Sequence, residues 1–189
     1  MTIEKIKKIM PEVENCINHS RVNLPKKLRI KVAEEILNIM ASRQKHFGLF
    51  VIVGWQDKWN IYTDISDSQQ DIFGKHNMNI MEGITSQDEI ATTIDFDGAI
   101  LIDGDGIIKH SGVIIEGLRP RVIADKVHPG HFHDLSEQFG FKGKVHTRHL
   151  SAITSSYIFK GTTVMTVSEE TNSFHVFEGG KIAFRMYDN

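Results

Sequence analysis

The stretch Phe47-Gly48-Leu49-Phe50-Val51-Ile52-Val53 determines the fold of this 189-residue chain. Its β-branched and aromatic residues follow one another without polar alternation, which is typical of a buried strand. Residues 59–63 are rich in residues of the same kind, and we expect them to pair with this strand across Gln56-Asp57-Lys58.

Two helical patterns precede this strand. Apolar residues recur at helical spacing in the first segment, at Ile3, Ile6, Met10, Val13 and Ile17. Pro11 interrupts that stripe, so the segment forms either one kinked helix or two short helices, the second of which starts at Pro11. A second amphipathic run follows Pro25, and its apolar face is expected to pack in the core.

The polar link 18–21 makes the first segment either an appendage or an oligomer contact. We therefore divide the chain into a helical segment 1–22 and a domain of residues 23–189.

Strands and helices alternate in the rest of the chain. Residues 99–102 and 107–109 form a hairpin around Asp103-Gly104-Asp105-Gly106. A helix is predicted over residues 148–159, and two or three short strands follow it. Residues 118–145 are expected to be irregular, with Pro120, Pro129 and Gly130 as breakers and residues 134–139 as a candidate helical turn. This order predicts an α/β or α+β layer fold, in which a mixed central β-sheet is flanked by helices.

The charge balance excludes several kinds of partner. There are 22 Lys and Arg residues against 24 Asp and Glu residues, which gives a formal net charge of −2. We therefore expect neither nucleic-acid binding nor attachment to an anionic membrane surface. The longest apolar stretch, residues 47–55, is too short to span a bilayer. The single Cys16 excludes an internal disulfide and favours a reducing, cytoplasmic compartment.

The ten histidines raise the question of a metal site. Three of them stand in His128-Pro129-Gly130-His131-Phe132-His133, where neither helical nor strand geometry brings the rings together. A polar surface loop is therefore favoured over a zinc site there. His146 and His149 have i, i+3 spacing at a predicted helix start, where they could hold a metal or form an anion site.

Two further positions suggest chemistry. Asp97 stands at the entry of an apolar strand, where a rigidly held carboxylate could bind Mg²⁺ or Mn²⁺. Thr147-Arg148-His149 opens a helix, whose unpaired N–H groups and arginine suit a phosphate group. An ordinary helix cap with an exposed arginine explains the second motif equally well.

Taken in order, these motifs resemble the diadenylate cyclase domain family. The resemblance rests on Asp97-Gly98-Ala99 opening a strand, Thr147-Arg148-His149 opening a helix, and Val167-Ser168-Glu169-Glu170-Thr171 before the last hairpin. The strand that begins near Gly48 matches the family's first core strand. The match extends from about Pro25 to the C-terminus.

The resemblance implies an activity and a role for each motif. Two ATP molecules condense into cyclic di-AMP and two pyrophosphates, in a site formed between two facing subunits of a homodimer or a larger homo-oligomer. Asp97 holds the divalent cation, Mn²⁺ or Mg²⁺, and helps to activate the 3′-hydroxyl. Gly98 and Ala99 let the backbone approach the nucleotide. The triphosphate and metal are contacted by Thr147, Arg148, His149, Ser168 and Glu170.

The chain departs from the family pattern at two helix positions. The family usually has Arg-His-Arg at the start of this helix, and here Leu150 replaces the second arginine. Further along the helix, Thr154 stands where the family commonly has a glycine. These departures leave open a second function, a non-catalytic nucleotide sensor of the same fold. The histidine-rich loop leaves open a third, a metal-dependent phosphohydrolase. Some short cyclases of the family carry a helical N-terminal segment that restrains catalysis, and residues 1–18 are expected to do so here.

Overall fold

The computed structural model describes residues 2–43, 45–65, 70–74, 78–82, 89–93 and 96–187. Its helices are α1 (Ile3–His19), α2 (Lys26–Ser42), α3 (Pro120–Val127), α4 (Leu135–Gln138) and α5 (Thr147–Ile158). Its strands are β1 (Leu49–Trp55), β2 (Thr63–Ile65), β3 (Met78–Asn79), β4 (Ala99–Asp103), β5 (Ile107–Ile115), β6 (Thr163–Val167), β7 (Phe174–Glu178) and β8 (Lys181–Met186). Short 3₁₀ helices cover Asp57–Tyr62 and Ile80–Glu82, and residues 89–92 are helical.

The strands form one mixed sheet in the order β2-β5-β4-β1-β6-β7-β8, with β3 paired to β5. The pair β1–β4 is parallel, whereas every other pair in the described part of the chain is antiparallel. Helices flank this sheet, and the predicted fold class is confirmed. The predicted hairpin is also confirmed, as β4 and β5.

Strand β1 lies at the centre of the sheet and supplies both of its cores. Leu49, Val51 and Val53 belong to the core that contains α1 and α2. Phe50 and Ile52 belong to the opposite core, which contains α5. All seven residues of β1 are buried, because successive side chains of a strand point to opposite faces and both faces are covered here.

Helix α1 packs into the first of these cores. Val13 and Ile17 have no exposed side-chain surface, and α1 contacts both α2 and β8. Pro11 lies within one continuous helix, so the alternative of two separate helices is wrong. The proposed domain boundary after residue 22 stays a prediction.

Two local predictions are wrong. Residues 57–62 form a 3₁₀ helix instead of a strand paired with β1, because β4 and β6 already occupy both hydrogen-bonding edges of β1. Trp59 packs edge-on against Trp55 with ring centroids 5.5 Å apart. Pro120 begins α3 instead of interrupting an irregular region, since a proline is well tolerated in the first turn of a helix.

Candidate functional site

A groove at the N-terminus of α5 brings together four of the predicted site residues. Asp97 and Gly98, just before β4, face Thr147 and Arg148 at the start of α5. We call this groove, of about 360 Å³, the Arg148 groove; its other lining residues are Phe50, Val113, Ile114, Ile115 and Ser151. Two motifs that are distant in sequence therefore share one site.

The start of α5 carries positive charge toward this groove. The first N–H groups of a helix have no intrahelical acceptor and give its N-terminus a partial positive charge. The first turn of α5 contains no acidic residue, and the side chain of its cap residue His146 makes no capping hydrogen bond. Arg148 forms no ion pair with any described residue. These donors, of which none is taken up by an ion pair with Arg148, suit a phosphate group.

Gly48 makes room for the guanidinium group of Arg148. A Cβ atom at position 48 would collide with the guanidinium nitrogens and carbon. The absence of a side chain at the start of β1 thus lets Arg148 lie against the backbone there. Gly48 is therefore a residue of the site, although it was predicted only as part of a core strand.

Asp97 and Gly98 form the acidic side of the groove. Asp97 is exposed, and none of the described residues hydrogen-bonds its carboxylate. Gly98 has φ +101°, and a Cβ there would lie 2.7 Å from the backbone N and O of Val113. Glycine is therefore required at this position by the close approach of β5, whatever ligand the groove holds. That approach sets where Asp97 stands.

Ala99 does not line the groove. It is fully buried in β4, where it pairs with Val113 of β5. Its small side chain belongs to the core between the sheet and α5. The structure thus places Ala99 behind the site, and its contribution there is to packing.

The remaining predicted residues border a second cavity on the other side of the α5 N-terminus. His149, Ser168 and Glu170 line this space of about 240 Å³, which we call the His149 cavity. Its other lining residues are Phe141, Lys142, Gly143, Lys144, Val145, His146, Thr171, Ser173, His175 and Tyr187. The predicted site is therefore divided between two neighbouring spaces.

Glu170 is held as an anion at the mouth of this cavity. A hydrogen bond from its own backbone N–H and one from the Ser168 hydroxyl, at 2.9 Å, lower the pKa of Glu170. The nearby His146 and Arg148 lower this pKa further. The Nε2 atom of His146 lies 3.8 Å from a Glu170 carboxylate oxygen. Ser168 therefore orients Glu170, and the carboxylate reduces the positive charge around the helix start.

His149 is buried among aromatic rings instead of being exposed to the groove. Its ring packs edge-on against His175 with centroids 4.9 Å apart, and against Phe141 at 5.7 Å. Burial lowers the pKa of His149 to about 4, and burial together with His149 lowers the pKa of His175 to about 3. Both imidazoles are therefore neutral at pH 7, and His149 supplies no positive charge to a phosphate.

His175 is a site residue that sequence reasoning missed. It lies in β7, within Phe174-His175-Val176-Phe177, and is fully enclosed. The available signal was one imidazole inside an otherwise apolar strand. A buried polar side chain in such a strand requires a partner, and the sequence does not show which residue provides it.

The two departures from the family pattern face the protein interior. Leu150 packs against the core beneath α5. Thr154 is fully buried, and its hydroxyl has no hydrogen-bond partner. Neither residue lines the Arg148 groove or the His149 cavity.

No group of three or more His, Cys, Asp or Glu side chains is arranged to hold a metal ion in the part of the chain that the structure describes. In the histidine-rich loop, His131 and His133 are exposed and His128 is half-buried. Among the described residues, Asp97 therefore has no cluster of protein ligands with which to hold a cation.

Comparison with known proteins identifies the fold alone. No protein-family model and no curated protein matches the chain. A solved structure of a hypothetical membrane spanning protein from Bacillus cereus matches 97% of this chain and 79% of its own, with a TM-score of 0.52 and 14% identity. A double mutant of DacA from Staphylococcus aureus matches 98% of this chain and 89% of its own, with a TM-score of 0.40 and 15% identity. Within the described residues, no helix of this chain has the length and apolar character needed to cross a membrane.

Proposed function

We propose that this chain is a diadenylate cyclase, which condenses two ATP molecules into cyclic di-AMP and two pyrophosphates. One observation carries the proposal: Asp97 and Arg148 line the same groove at the N-terminus of a helix. This juxtaposition places a carboxylate suited to a cation beside donors suited to a phosphate. The order of the sequence motifs, which resembles that of the cyclase family, supports the same function.

The groove offers distinct surroundings to the two ends of a nucleotide. The triphosphate is expected against the first turn of α5, where Arg148 and the backbone N–H groups donate hydrogen bonds. The apolar wall of Phe50 and residues 113–115 suits the uncharged part of the nucleotide. Arg148 thereby orients the α-phosphate and stabilises the charge that develops on the pyrophosphate as it leaves.

Asp97 fits the way in which proteins commonly hold Mg²⁺ or Mn²⁺ beside a nucleotide. Such sites use one or two carboxylates together with substrate phosphates and water, and the carboxylate of Asp97 is exposed beside the predicted phosphate position. When bound, the cation offsets negative charge on the phosphates. The chain's own contribution is to fix the backbone beside that carboxylate through the close approach of Gly98 to β5.

A symmetric product requires two copies of the chain. Each groove accommodates one ATP, and each 3′-hydroxyl must attack the α-phosphate of the other nucleotide. Two grooves must therefore face each other in a homodimer or larger homo-oligomer with twofold symmetry. Asp97 lies at the exposed edge of the groove, where a facing nucleotide could reach it.

The decisive experiment is incubation of the chain with ATP and Mn²⁺, followed by chromatography for cyclic di-AMP. We expect product from the wild type and none from Asp97→Asn. Asp105→Asn is the matched control, because Asp105 is an exposed aspartate in the β4–β5 turn, away from the groove. Its rate should equal that of the wild type.

The other outcomes identify the alternatives. If the wild type binds ATP through Arg148 but forms no product, the chain is a nucleotide sensor. Release of phosphate that depends on His131 or His133 indicates a phosphohydrolase. Either result overturns the cyclase proposal.

A further inference from the structure

Two neighbouring imidazoles in the His149 cavity each have an unsatisfied ring nitrogen. The Nε2 atoms of His149 and His175 are both buried, and neither has a hydrogen-bond partner. Both residues are at least nine-tenths buried, and both line the same cavity. Buried polar nitrogens without partners are uncommon, so two in contact require an explanation.

The relative orientation of the two rings provides one. They are almost perpendicular, at 85°, with centroids 4.9 Å apart. In such an arrangement the edge of one ring points at the face of the other. An N–H on that edge can donate to the π electrons of the facing ring, which is a weak but real hydrogen bond.

The other contacts of His175 indicate which ring is the acceptor. Its Nδ1 atom lies 3.5 Å from the Ser173 hydroxyl, which in turn lies 2.8 Å from the Thr171 hydroxyl. A proton on Nδ1 of His175 can be shared with Ser173, and Nε2 of His175 then carries a lone pair. An unsatisfied acceptor is tolerated better than an unsatisfied N–H. On this assignment, Nε2 of His149 is the N–H that is available to donate toward the His175 ring.

We propose that His175 is a positioning residue that fixes His149 in the tautomer protonated on Nε2. Nδ1 of His149 then carries the lone pair and accepts a hydrogen bond. An uncharged acceptor takes a hydroxyl group or a metal-bound water and rejects an unprotonated phosphate oxygen. His149 would therefore serve the nucleotide's hydroxyl or hydrated cation. This last step rests on the proposed function, whereas the tautomer does not.

The tautomer can be measured without any activity. Ring ¹⁵N chemical shifts of the histidine-labelled chain at pH 7 distinguish a protonated from an unprotonated ring nitrogen, and the His149→Gln variant identifies the His149 signals. Neutral rings are expected at this pH, since burial lowers the pKa of both residues. We expect His149 to be protonated on Nε2 in the wild type. Protonation on Nδ1 overturns the inference.

Two substitutions separate the ring face from the bulk of the side chain. His175→Phe retains an aromatic face, so His149 should keep its tautomer. His175→Leu removes that face, so the two nitrogens of His149 should move toward intermediate shifts. Equal spectra for the two variants contradict a role for the ring face, and a thermal melt of each confirms that the chain is folded.

Turnover gives a second readout. Loss of the partner that orients a metal-ligating histidine typically costs roughly 10- to 100-fold in activity, and we take the same range for His149. We expect kcat for cyclic di-AMP formation to fall by this factor in His175→Leu with little change in KM for ATP, and to change less in His175→Phe. An active wild type with unaltered kcat in His175→Leu overturns the positioning role alone. An inactive wild type with the expected tautomer overturns the cyclase proposal and leaves the tautomer assignment standing.

Discussion

The guanidinium group of Arg148 lies against Gly48, in the space that the Cβ of any other residue would occupy. This contact joins the start of the central strand to the start of α5, where the groove is formed. Gly48 precedes β1, and Arg148 stands in the first turn of its helix. The orientation of the groove's arginine is therefore set by the missing side chain at the residue that precedes the central strand.

Gly48→Ala is expected to weaken ATP binding without unfolding the chain. The added methyl displaces the far end of a flexible side chain, so the fold is retained while Arg148 moves. A charge-assisted hydrogen bond contributes about 1.5–3 kcal/mol, and its complete loss corresponds to roughly a 10- to 150-fold higher Kd. Isothermal titration with ATP measures the change. Gly104→Ala is the control, because a Cβ there meets only the Leu24 side chain at 3.7 Å, an ordinary contact, and Gly104 lines neither the Arg148 groove nor the His149 cavity; equal affinity in the two variants would contradict the prediction.

Glu178→Gln is expected to destabilise the chain strongly. Arg29 is fully buried, and its Nη1 atom lies 3.0 Å from a carboxylate oxygen of Glu178, which also accepts a hydrogen bond from Thr163 at 2.8 Å. Removing one charge leaves the other buried without its partner, which typically costs about 3–5 kcal/mol. Urea unfolding at pH 7 measures the loss.

The control for this prediction is an exposed ion pair. Asp57 lies 3.8 Å from Lys109, and its side chain is 76% exposed. Exposed pairs contribute little, so Asp57→Asn should change the free energy of unfolding by less than about 1 kcal/mol. A comparable loss in Asp57→Asn and Glu178→Gln would show that the buried charge is not the cause.

The sequence predicts those parts of the fold that depend on local patterns. The buried strand at Phe50, the hairpin around Asp103 and the helix from Thr147 follow from β-branched runs, turn residues and helical spacing. Residues 57–62 could not be predicted in this way, because a strand pairs only where a neighbouring edge is free. That edge is taken by β6, which lies far along the chain.

The candidate site was predictable only in part, for a related reason. Asp97 and Arg148 could be named from their motifs, and the resemblance placed them in one site. The division of the site into two spaces depends on how deeply each side chain of α5 is buried. His149 follows Arg148 directly and faces a different space, since neighbouring residues of a helix point in different directions. The partner of His149 is His175, which no spacing rule connects to it.

Thr154→Val is expected to stabilise the chain. The Thr154 hydroxyl is fully buried in α5 without a hydrogen-bond partner. Valine has nearly the same shape and removes the unsatisfied group, which should raise the free energy of unfolding by about 1 kcal/mol or more. Ser156→Ala is the matched control, because the buried Ser156 hydroxyl donates to Ile153 and accepts from Gly180. Its loss should destabilise, and a lower stability of Thr154→Val would show that the hydroxyl has a partner in solution.

Stability is expected to fall as the pH is lowered from about 6.5 to about 4. Burial lowers the pKa of His149 from 6.5 to about 4 and that of His175 to about 3. Between these values and 6.5 the unfolded chain binds protons that the folded chain does not, so the free energy of unfolding rises with pH across this window. Each site contributes at most about 1.4 kcal/mol per pH unit. His149 alone therefore accounts for a loss of up to about 3 kcal/mol.

Urea unfolding at several pH values between 7 and 4 tests this dependence, and His175→Phe identifies its source. The phenylalanine cannot take up a proton, so the variant should lose the His175 contribution and show a shallower decline than the wild type. The exposed His131 provides the control, because it lines neither the Arg148 groove nor the His149 cavity. His131→Gln should therefore retain the full decline. Equal slopes in His175→Phe and the wild type would mean that His175 takes up its proton in the folded chain, and the assignment of two neutral imidazoles in the His149 cavity would be wrong.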